Sequence, residues 1–374
     1  MKIVVAIARI LVGGLFIFSG LVKAIDPLGL TYKMQEFFEA WGHTPFLTGI
    51  MNWLGEYAFL FSLVMIILEV ALGVALLVGW RKKLTLRFLL LMIIFFTFLT
   101  SYVLFSGKIR ACGCFGDCIP ITPIQTFTKD VILLLLISFL LLKRKYIEPL
   151  FKSPLPLAVV LISIIATGLL QMHVVEHLPL ADCLPFKKGN NILELRKMPA
   201  DAVPDKFENI FIYEKDGVKK DFTVKALPDS TWKFVDRKQT LIEKGKNNVP
   251  LVNDFSLTAA DGNDSTETIL NKENYYLFFV KNIKEAIVER WQSTFRDFIK
   301  KAKERNMPVY IVTSDTKNAD VFFNQLNNYN LPIFTTDGTA IKTAARATPT
   351  MFVMKGPVVQ QKYSWADLDE LLKQ

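Results

Sequence analysis

Five stretches in the first half of this 374-residue chain are apolar for the length, or nearly the length, that a helix needs to cross a bilayer, about 20 residues. They lie near 3–22, 57–78, 84–105, 129–142 and 155–173. The fourth is the shortest: its strictly apolar part is 131–142, and it spans only if 126–129 is included. Charge follows the same division. Residues 1–180 hold 15 Lys/Arg and 9 Asp/Glu, whereas residues 181–374 hold 44 − 15 = 29 and 35 − 9 = 26. A membrane half followed by a water-exposed half fits this pattern, and each is long enough for its own core. With 51% hydrophobic residues, the chain is too apolar to be wholly soluble or disordered. The net charge of +9 sits mostly in the first part (15 − 9 = +6), in short clusters beside the apolar runs, which indicates membrane topology and not a nucleic-acid partner.

Those clusters set the expected orientation. Arg81-Lys82-Lys83 with Arg87 separates spans two and three, and Lys143-Arg144-Lys145 with Lys152 separates spans four and five. Both loops, and Lys2, are expected in the cytoplasm, so that five crossings put the 108–129 loop and everything after about 174 outside. The 26–56 loop falls outside too, and 30–41 alternates like a helix lying in the interface. The first span is read as an anchor, because no small-x-small site closes it before Lys23 as a signal peptide would.

The outer part divides again. Residues 181–250 read as a β-rich connecting segment, with a hairpin of 210–213 and 222–224 around Lys215-Asp216-Gly217. Residues 251–374 alternate: strand 275–280, amphipathic helix 285–305 with Ile287, Trp291, Phe295, Phe298 and Ile299 on one face, strand 309–312, helix 319–328, strand 333–335, hairpin 351–354 with 358–362, and helix 365–373. That order is thioredoxin-like. The fold class expected is thus an α-helical transmembrane bundle (1–180) followed by an α/β thioredoxin-like extracytoplasmic domain.

Three of four cysteines crowd into Ala111-Cys112-Gly113-Cys114-Phe115-Gly116-Asp117-Cys118, and the fourth, Cys183, follows the fifth span on the same side. A Cys112–Cys114 bond would close a very small ring, strained and easily reduced, as a thiol-exchange centre requires. Lys108 and Arg110 favour the thiolate. Two other readings stay open here. Cys112 or Cys114 could pair statically with Cys118 or Cys183, or Cys-x-Cys-x3-Cys could offer three soft metal ligands, although no histidine lies in the loop. No metal is expected.

The run Phe18-Ser19-Gly20-Leu21-Val22-Lys23-Ala24-Ile25-Asp26-Pro27, Glu69 with Gly73 and Gly79, and Cys112-Gly113-Cys114-Phe115-Gly116 after the third span together resemble the DoxX/MauE group of membrane proteins, over about residues 1–145. The full arrangement resembles Bacteroidetes DoxX-like proteins that carry an outer extension. The resemblance implies a membrane redox protein. In the MauE type this is help with disulfide formation during methylamine utilisation, and in the DoxX type it is quinol or thiosulfate oxidation. It makes Cys112 and Cys114 the candidate redox pair, leaves Cys118 and Cys183 as resolving or structural cysteines, and brings in a quinone as acceptor.

Glu69 lies near the middle of the second span, where an unpaired charge costs about 2.5–3.5 kcal/mol, so it needs a partner or a proton. Arg9 is the expected partner and Lys23 the second choice; the acid either relays protons or fixes helix packing. Gly13, Gly14, Gly20, Gly73 and Gly79 suit close helix packing. His173 and His177 with Glu176 read as a solvated helix end.

The thioredoxin-like region carries no cysteine: its first central strand runs into Lys281-Asn282-Ile283-Lys284-Glu285, and residues 184–374 contain none. It cannot exchange disulfides itself. Thr348-Pro349 resembles the family's cis-proline turn, whose edge holds an extended peptide, so these two residues are the partner-binding candidates. The reading that unites these features is a membrane-embedded thiol–disulfide redox protein acting on extracytoplasmic protein partners. Its rivals are a non-catalytic membrane anchor displaying a degenerate thioredoxin-like domain, and a quinol-linked oxidoreductase subunit centred on Glu69.

Overall fold

The computed structural model describes residues 1–44, 46–107, 109, 113 and 115–373. Five of its helices are long and apolar enough to cross a membrane: α1 (Lys2–Ala24), α4 (Ala58–Val78), α5 (Lys82–Ser106), α6 (Pro123–Leu142) and α7 (Leu155–Glu176). Two more, α2 (Pro27–Gly42) and α3 (Thr48–Glu56), lie between the first two spans. The fourth span takes its longer form. Thr122 accepts from the Gln125 N–H and Gln125 reaches back to the Thr122 N–H, a capping box that starts α6 before its apolar run. Outward faces of the spans are apolar, as at Ile7, Ile10, Phe88, Leu91, Ile162 and Ile165, which suits contact with lipid tails. The chain is an integral membrane protein.

Helix α1 packs along α4, α4 along α7, and α5 along α6. Glycine permits the first of these. A Cβ on Gly73 would stand 2.9 Å from the Gly13 carbonyl oxygen and 3.1 Å from the Ile17 nitrogen, so backbone meets backbone there. Gly73→Ala must push the two helices apart. It is expected to cost about 1–3 kcal/mol, read as a lower unfolding temperature in detergent.

Residues 30–41, expected to form a helix lying in the interface, fall within α2, and its apolar face packs on the bundle. Leu30, Met34, Phe37 and Phe38 repeat every three to four residues and are buried against the bundle. Trp41 meets Phe98 and Tyr102 of α5. The opposite face of α2 presents Tyr32, Lys33, Gln35, Glu36 and Glu39 to the domain beyond.

Two sheets follow. In the first, β1 (Lys206–Lys215) is flanked by β2 (Val218–Thr223) and β3 (Lys233–Glu243), all antiparallel. Its β1–β2 turn uses Asp216 (φ 51°) and Gly217 (φ 77°), both left-handed, which matches the twist of a two-residue hairpin. Strand β3 went unread in the sequence because every residue in it is exposed and no apolar alternation marks it.

The second sheet has the order β6 (Ile333–Thr335), β5 (Val309–Thr313), β4 (Asn274–Phe279), β7 (Thr350–Lys355), β8 (Val358–Ser364), with β6, β5 and β4 parallel and β7 and β8 antiparallel to their neighbours. Short helices α8 (Ile192–Leu195) and α9 (Thr266–Leu270) precede it. Helices α10 (Gln292–Glu304) and α11 (Thr316–Asp320), then α12 (Gly338–Ala344) and α13 (Leu368–Lys373), connect and close it. This is the thioredoxin-like order. Alternate residues of β4 feed two layers: Tyr275, Leu277 and Phe279 join Phe255 and Phe352, while Tyr276 and Phe278 join Phe295 and Phe323.

Two sequence expectations need correction here. The amphipathic helix begins at Gln292 and not at 285, after a 3-10 turn over Val288–Arg290, and Ile287 is exposed. Phe186 and Ile192, read as connecting segment, belong to the core of the second sheet, and the Gly189 N–H donates to Val359. The three-stranded sheet is therefore an excursion from a chain that has already entered the thioredoxin-like fold.

Candidate functional site

The antiparallel register of α1 and α4 decides which charges meet. Lys23 Nζ donates to both carboxylate oxygens of Glu69, at 2.7 and 2.9 Å, and to Ser19 Oγ at 3.1 Å. It also lies 4.8 Å from the centroid of Phe96. Lys23 and Glu69 are both 3% exposed.

Arg9, expected to be Glu69's partner, is not. Gly20 stands beside Val70 and Glu69, and Arg9 is eleven residues and about 16 Å away along α1. Its guanidinium instead donates to the Leu76 and Leu77 carbonyls in the last turn of α4, at 2.8 and 2.6 Å, and to the Glu148 carbonyl at 2.9 Å. Lys2 pairs with Glu148, and Lys82 donates to the Ile147 carbonyl. The amino terminus and both basic loops thus meet at one end of the bundle.

A second pair, half-buried at its lysine, borders the same void as the first. Asp130 is fully buried, accepting from Lys129 at 2.6 Å and from the Thr100 hydroxyl at 3.1 Å. The sequence signal was available but unused: two adjacent charges inside the extended fourth span. Between the pairs is a void of about 10 Å3, the lower limit for one water, bordered by Ser19, Lys23, Glu69, Lys129, Asp130 and Phe115. Phe115 follows Cys114 in the chain; its ring contacts Phe18, and Lys129 lies over it.

Cys112 and Cys114 lie outside the described residues, as do Lys108 and Arg110. The other two cysteines form a disulfide, Cys118–Cys183, with Cα atoms 4.9 Å apart. Neither is then available as a static partner of Cys112 or Cys114, and the three-cysteine metal arrangement loses Cys118 as a thiolate. The bond ties the loop after α5 to the segment after α7, 65 residues on. Replacing Cys118 and Cys183 by Ser is expected to cost about 2–4 kcal/mol in thermal unfolding by releasing that closed loop.

The thioredoxin-like domain meets the same loop. Arg346, two residues before Thr348 of the cis Thr348-Pro349 bond, is 6% exposed. Its Nε donates to Asp26 Oδ2 at 2.9 Å and its Nη2 to Asp117 Oδ2 at 2.6 Å, while Nη1 donates to the Lys342 carbonyl. Asp26 also caps α2 through the Gly29 N–H. Burial pushes the Asp26 carboxyl up, against the pull of Arg346. Arg346 is held above the ordinary arginine value, because its two carboxylates outweigh the burial that works against its charge.

Around this clasp, Lys362 pairs with Asp182 beside the disulfide, Arg290 with Glu176, and His177 Nδ1 lies 2.6 Å from Asp367 Oδ1. His173 and His177 stack on each other, and the helix end read as solvated is a domain contact instead. Pro349 is itself buried, its carbonyl accepting from Trp365, and Thr348 is half-buried.

A cleft of about 440 Å3 opens between α2 and α12. Lys33, Glu36 and Glu39 form one wall, Thr339, Lys342 and Thr343 the other, with Asp117 and Cys183 among the residues lining it. A second cavity, of about 570 Å3 and almost wholly apolar, lies between α4, α5 and α7 and includes Met65, Leu72, Trp80, Phe88 and Phe95.

Comparison with known proteins gives matches to parts of the chain. Residues 1–143 match the family model described as Methylamine utilisation protein MauE. Residues 207–244, the three-stranded sheet, match a domain of unknown function, DUF8463. Protein TlpB of Flavobacterium psychrophilum is 34% identical over 137 residues, 35% of this chain and 35% of TlpB, so the chain spans about a third of that relative's length. The exposed lipoprotein thioredoxin of Streptococcus pneumoniae is 20% identical and aligns over 32% of this chain and 98% of its own, with a TM-score of 0.25. The fold assignment rests on strand order. By its first 143 residues and by that strand order, the chain joins a MauE-like membrane segment to a thioredoxin-like domain.

Proposed function

We propose that this chain is a thiol–disulfide redox protein of a bacterial inner membrane, with its thioredoxin-like domain in the periplasm and Cys112 and Cys114 as its working pair. The observation that carries the proposal is the Cys118–Cys183 disulfide. It consumes two of four cysteines, and the remaining two stand one residue apart in the loop it anchors. A disulfide joining two outer segments also suits the oxidising side of the membrane, the side the basic loops favour for it.

A thiolate of a reduced partner protein attacks one sulfur of a Cys112–Cys114 disulfide, forming a mixed disulfide and releasing the other cysteine as thiolate. The partner's second thiol resolves it. The partner leaves with a disulfide, and Cys112 and Cys114 retain the two electrons and two protons as thiols. Reoxidation hands both to an acceptor of the quinone class; the apolar cavity between α4, α5 and α7 suits an isoprenoid tail. The Lys23–Glu69 and Lys129–Asp130 pairs, with Phe115 over them, are the groups suited to hold the protons.

The test is alkylation of the native protein before and after reduction. Cys112 and Cys114 are expected to change state together, and Cys112→Ser with Cys114→Ser to abolish disulfide formation in the partner. Thiols that never change state, or partner disulfides unaffected by the double variant, overturn the proposal. Dependence on residues 253–374 alone would instead favour a non-catalytic anchor.

A further inference from the structure

We propose that α3 is a membrane-surface helix, with Phe46, Ile50, Trp53 and Tyr57 set into bilayer lipid of the leaflet away from the basic loops. The partner of this face is uncharged, acyl-chain lipid. Depth, the division of the helix into faces, and continuity with the spans support it.

Depth comes from the neighbouring elements. At about 1.5 Å per residue, the 21 residues of α4 run about 32 Å, enough by themselves to cross a hydrocarbon core of about 30 Å. Tyr57 alone separates α3 from α4, so α3 starts where that core ends. Its other end is held at a similar level. Thr48 Oγ1 donates to the Gly42 carbonyl at the end of α2, and just before Gly42 the rings of Phe38 and Trp41 meet Phe61 of α4 and Phe98 of α5.

The helix has three faces. Met51 and Leu54 pack on the core of the bundle. Thr48, Asn52 and Glu56, spaced by four, are exposed and polar. Ile50, Trp53 and Tyr57 are exposed and apolar, and Phe46, one turn ahead, is 88% exposed. A helix with a polar and an apolar exposed face suits the boundary between headgroups and acyl chains, its apolar face sunk about 5–10 Å. Trp53 and Tyr57, with ring centroids 5.0 Å apart, are the residue types that such boundaries favour.

Continuity identifies the occupant. Ile50, Trp53 and Tyr57 are followed at steps of three or four by Leu60, Val64 and Leu68, which are exposed on α4. One apolar band therefore runs from the lipid-facing side of a span onto α3. Residues 46–57 contain no Lys or Arg and only one acid, Glu56, so the attraction is apolar and needs no anionic headgroup.

The test uses the full chain in phosphatidylcholine nanodiscs whose acyl chains carry bromine. Trp53 emission is the difference between the parent and Trp53→Phe, which keeps a ring at the site. That emission is expected to be quenched by bromolipid, more by bromine near the glycerol end than near the chain end, and to be shielded from iodide. Phosphatidylglycerol or added salt should leave it unchanged. Phe46→Asp with Ile50→Asp, at two exposed positions, should lose bromolipid quenching of Trp53 while far-ultraviolet circular dichroism stays that of the parent. Quenching by iodide and not by bromolipid puts α3 in water and overturns the inference. Quenching by neither puts the face against protein, a second copy included, and also overturns it. So does quenching that requires phosphatidylglycerol, or that survives the double variant.

Discussion

Lys23→Met and Glu69→Gln are each expected to lower stability by about 3–5 kcal/mol, because either change strands a buried charge inside the bundle. Lys23 Nζ is within hydrogen-bonding distance of both Glu69 oxygens, and neither residue has meaningful access to solvent. The double variant removes both charges at once and should recover most of the loss, since a neutral amide and a thioether suit that site better than one lone ion. Thermal unfolding of the detergent-solubilised chain, followed by circular dichroism, checks this. Single variants that unfold with the parent, or a double variant no better than either single, would show that the pair does not hold α1 against α4. Arg9→Met should cost less, because it frees carbonyls near a helix end and leaves no buried counter-ion.

Arg346→Met should have an effect of similar size on the seating of the thioredoxin-like domain. One guanidinium joins the end of α1 through Asp26 to the cysteine loop through Asp117. Removing it leaves the Asp26 carboxylate buried without its counter-ion, at a cost of about 3 kcal/mol or more. The expected result is faster proteolysis around residues 177–190, which connect α7 to the second sheet, and a second, lower unfolding transition. Lysine should rescue little, because one ammonium cannot reproduce two directed bonds to separate carboxylates.

The pH dependence follows from Asp26. Burial already pushes its pKa up, and losing Arg346 pushes it further. A carboxyl raised in the folded state favours the protonated form there, so its penalty is absent below its unfolded pKa and grows as pH rises through the folded value. The variant's deficit should therefore shrink in acid, and Asp26→Asn should relieve it at neutral pH. A deficit independent of pH would mean that Asp26 is not the stranded group.

These contacts explain what a cysteine-free thioredoxin-like domain does on this chain. Arg346 grips the membrane segment just before the Thr348-Pro349 turn, and Glu285 acts electrostatically on Tyr32 across the junction. Tyr32, half-buried under Lys342 and Arg346, is pushed up to about 12, desolvation being the main cause, and stays neutral. The domain is docked on its own membrane segment over the cysteine loop.

Much of this architecture was readable one segment at a time. The apolar runs, the β1–β2 turn at Asp216-Gly217, the alternation of 275–280 and the missing cysteine after that strand are properties of neighbouring residues, and each could be weighed locally. Strand β3 was not readable, because exposure on both faces removes the alternation that marks a strand. Nor was the partner of Glu69. Choosing Lys23 over Arg9 required the sliding register of α1 on α4, which Gly13 and Gly73 set by letting the backbones touch.

The same division holds for the cysteines and the clasp. Chain order by itself determined that membrane spans precede a thioredoxin-like unit and that two sulfurs flank one glycine, since transfer cost and periodicity are summed along a single stretch of chain. Only the tertiary structure decided that Cys118 closes on Cys183, that Asp130 joins the buried charges, and that Arg346 reaches Asp26 and Asp117. Those pairings join residues up to 320 positions apart, and at such separations the packing of whole elements, not the residue types, selects which charge finds which.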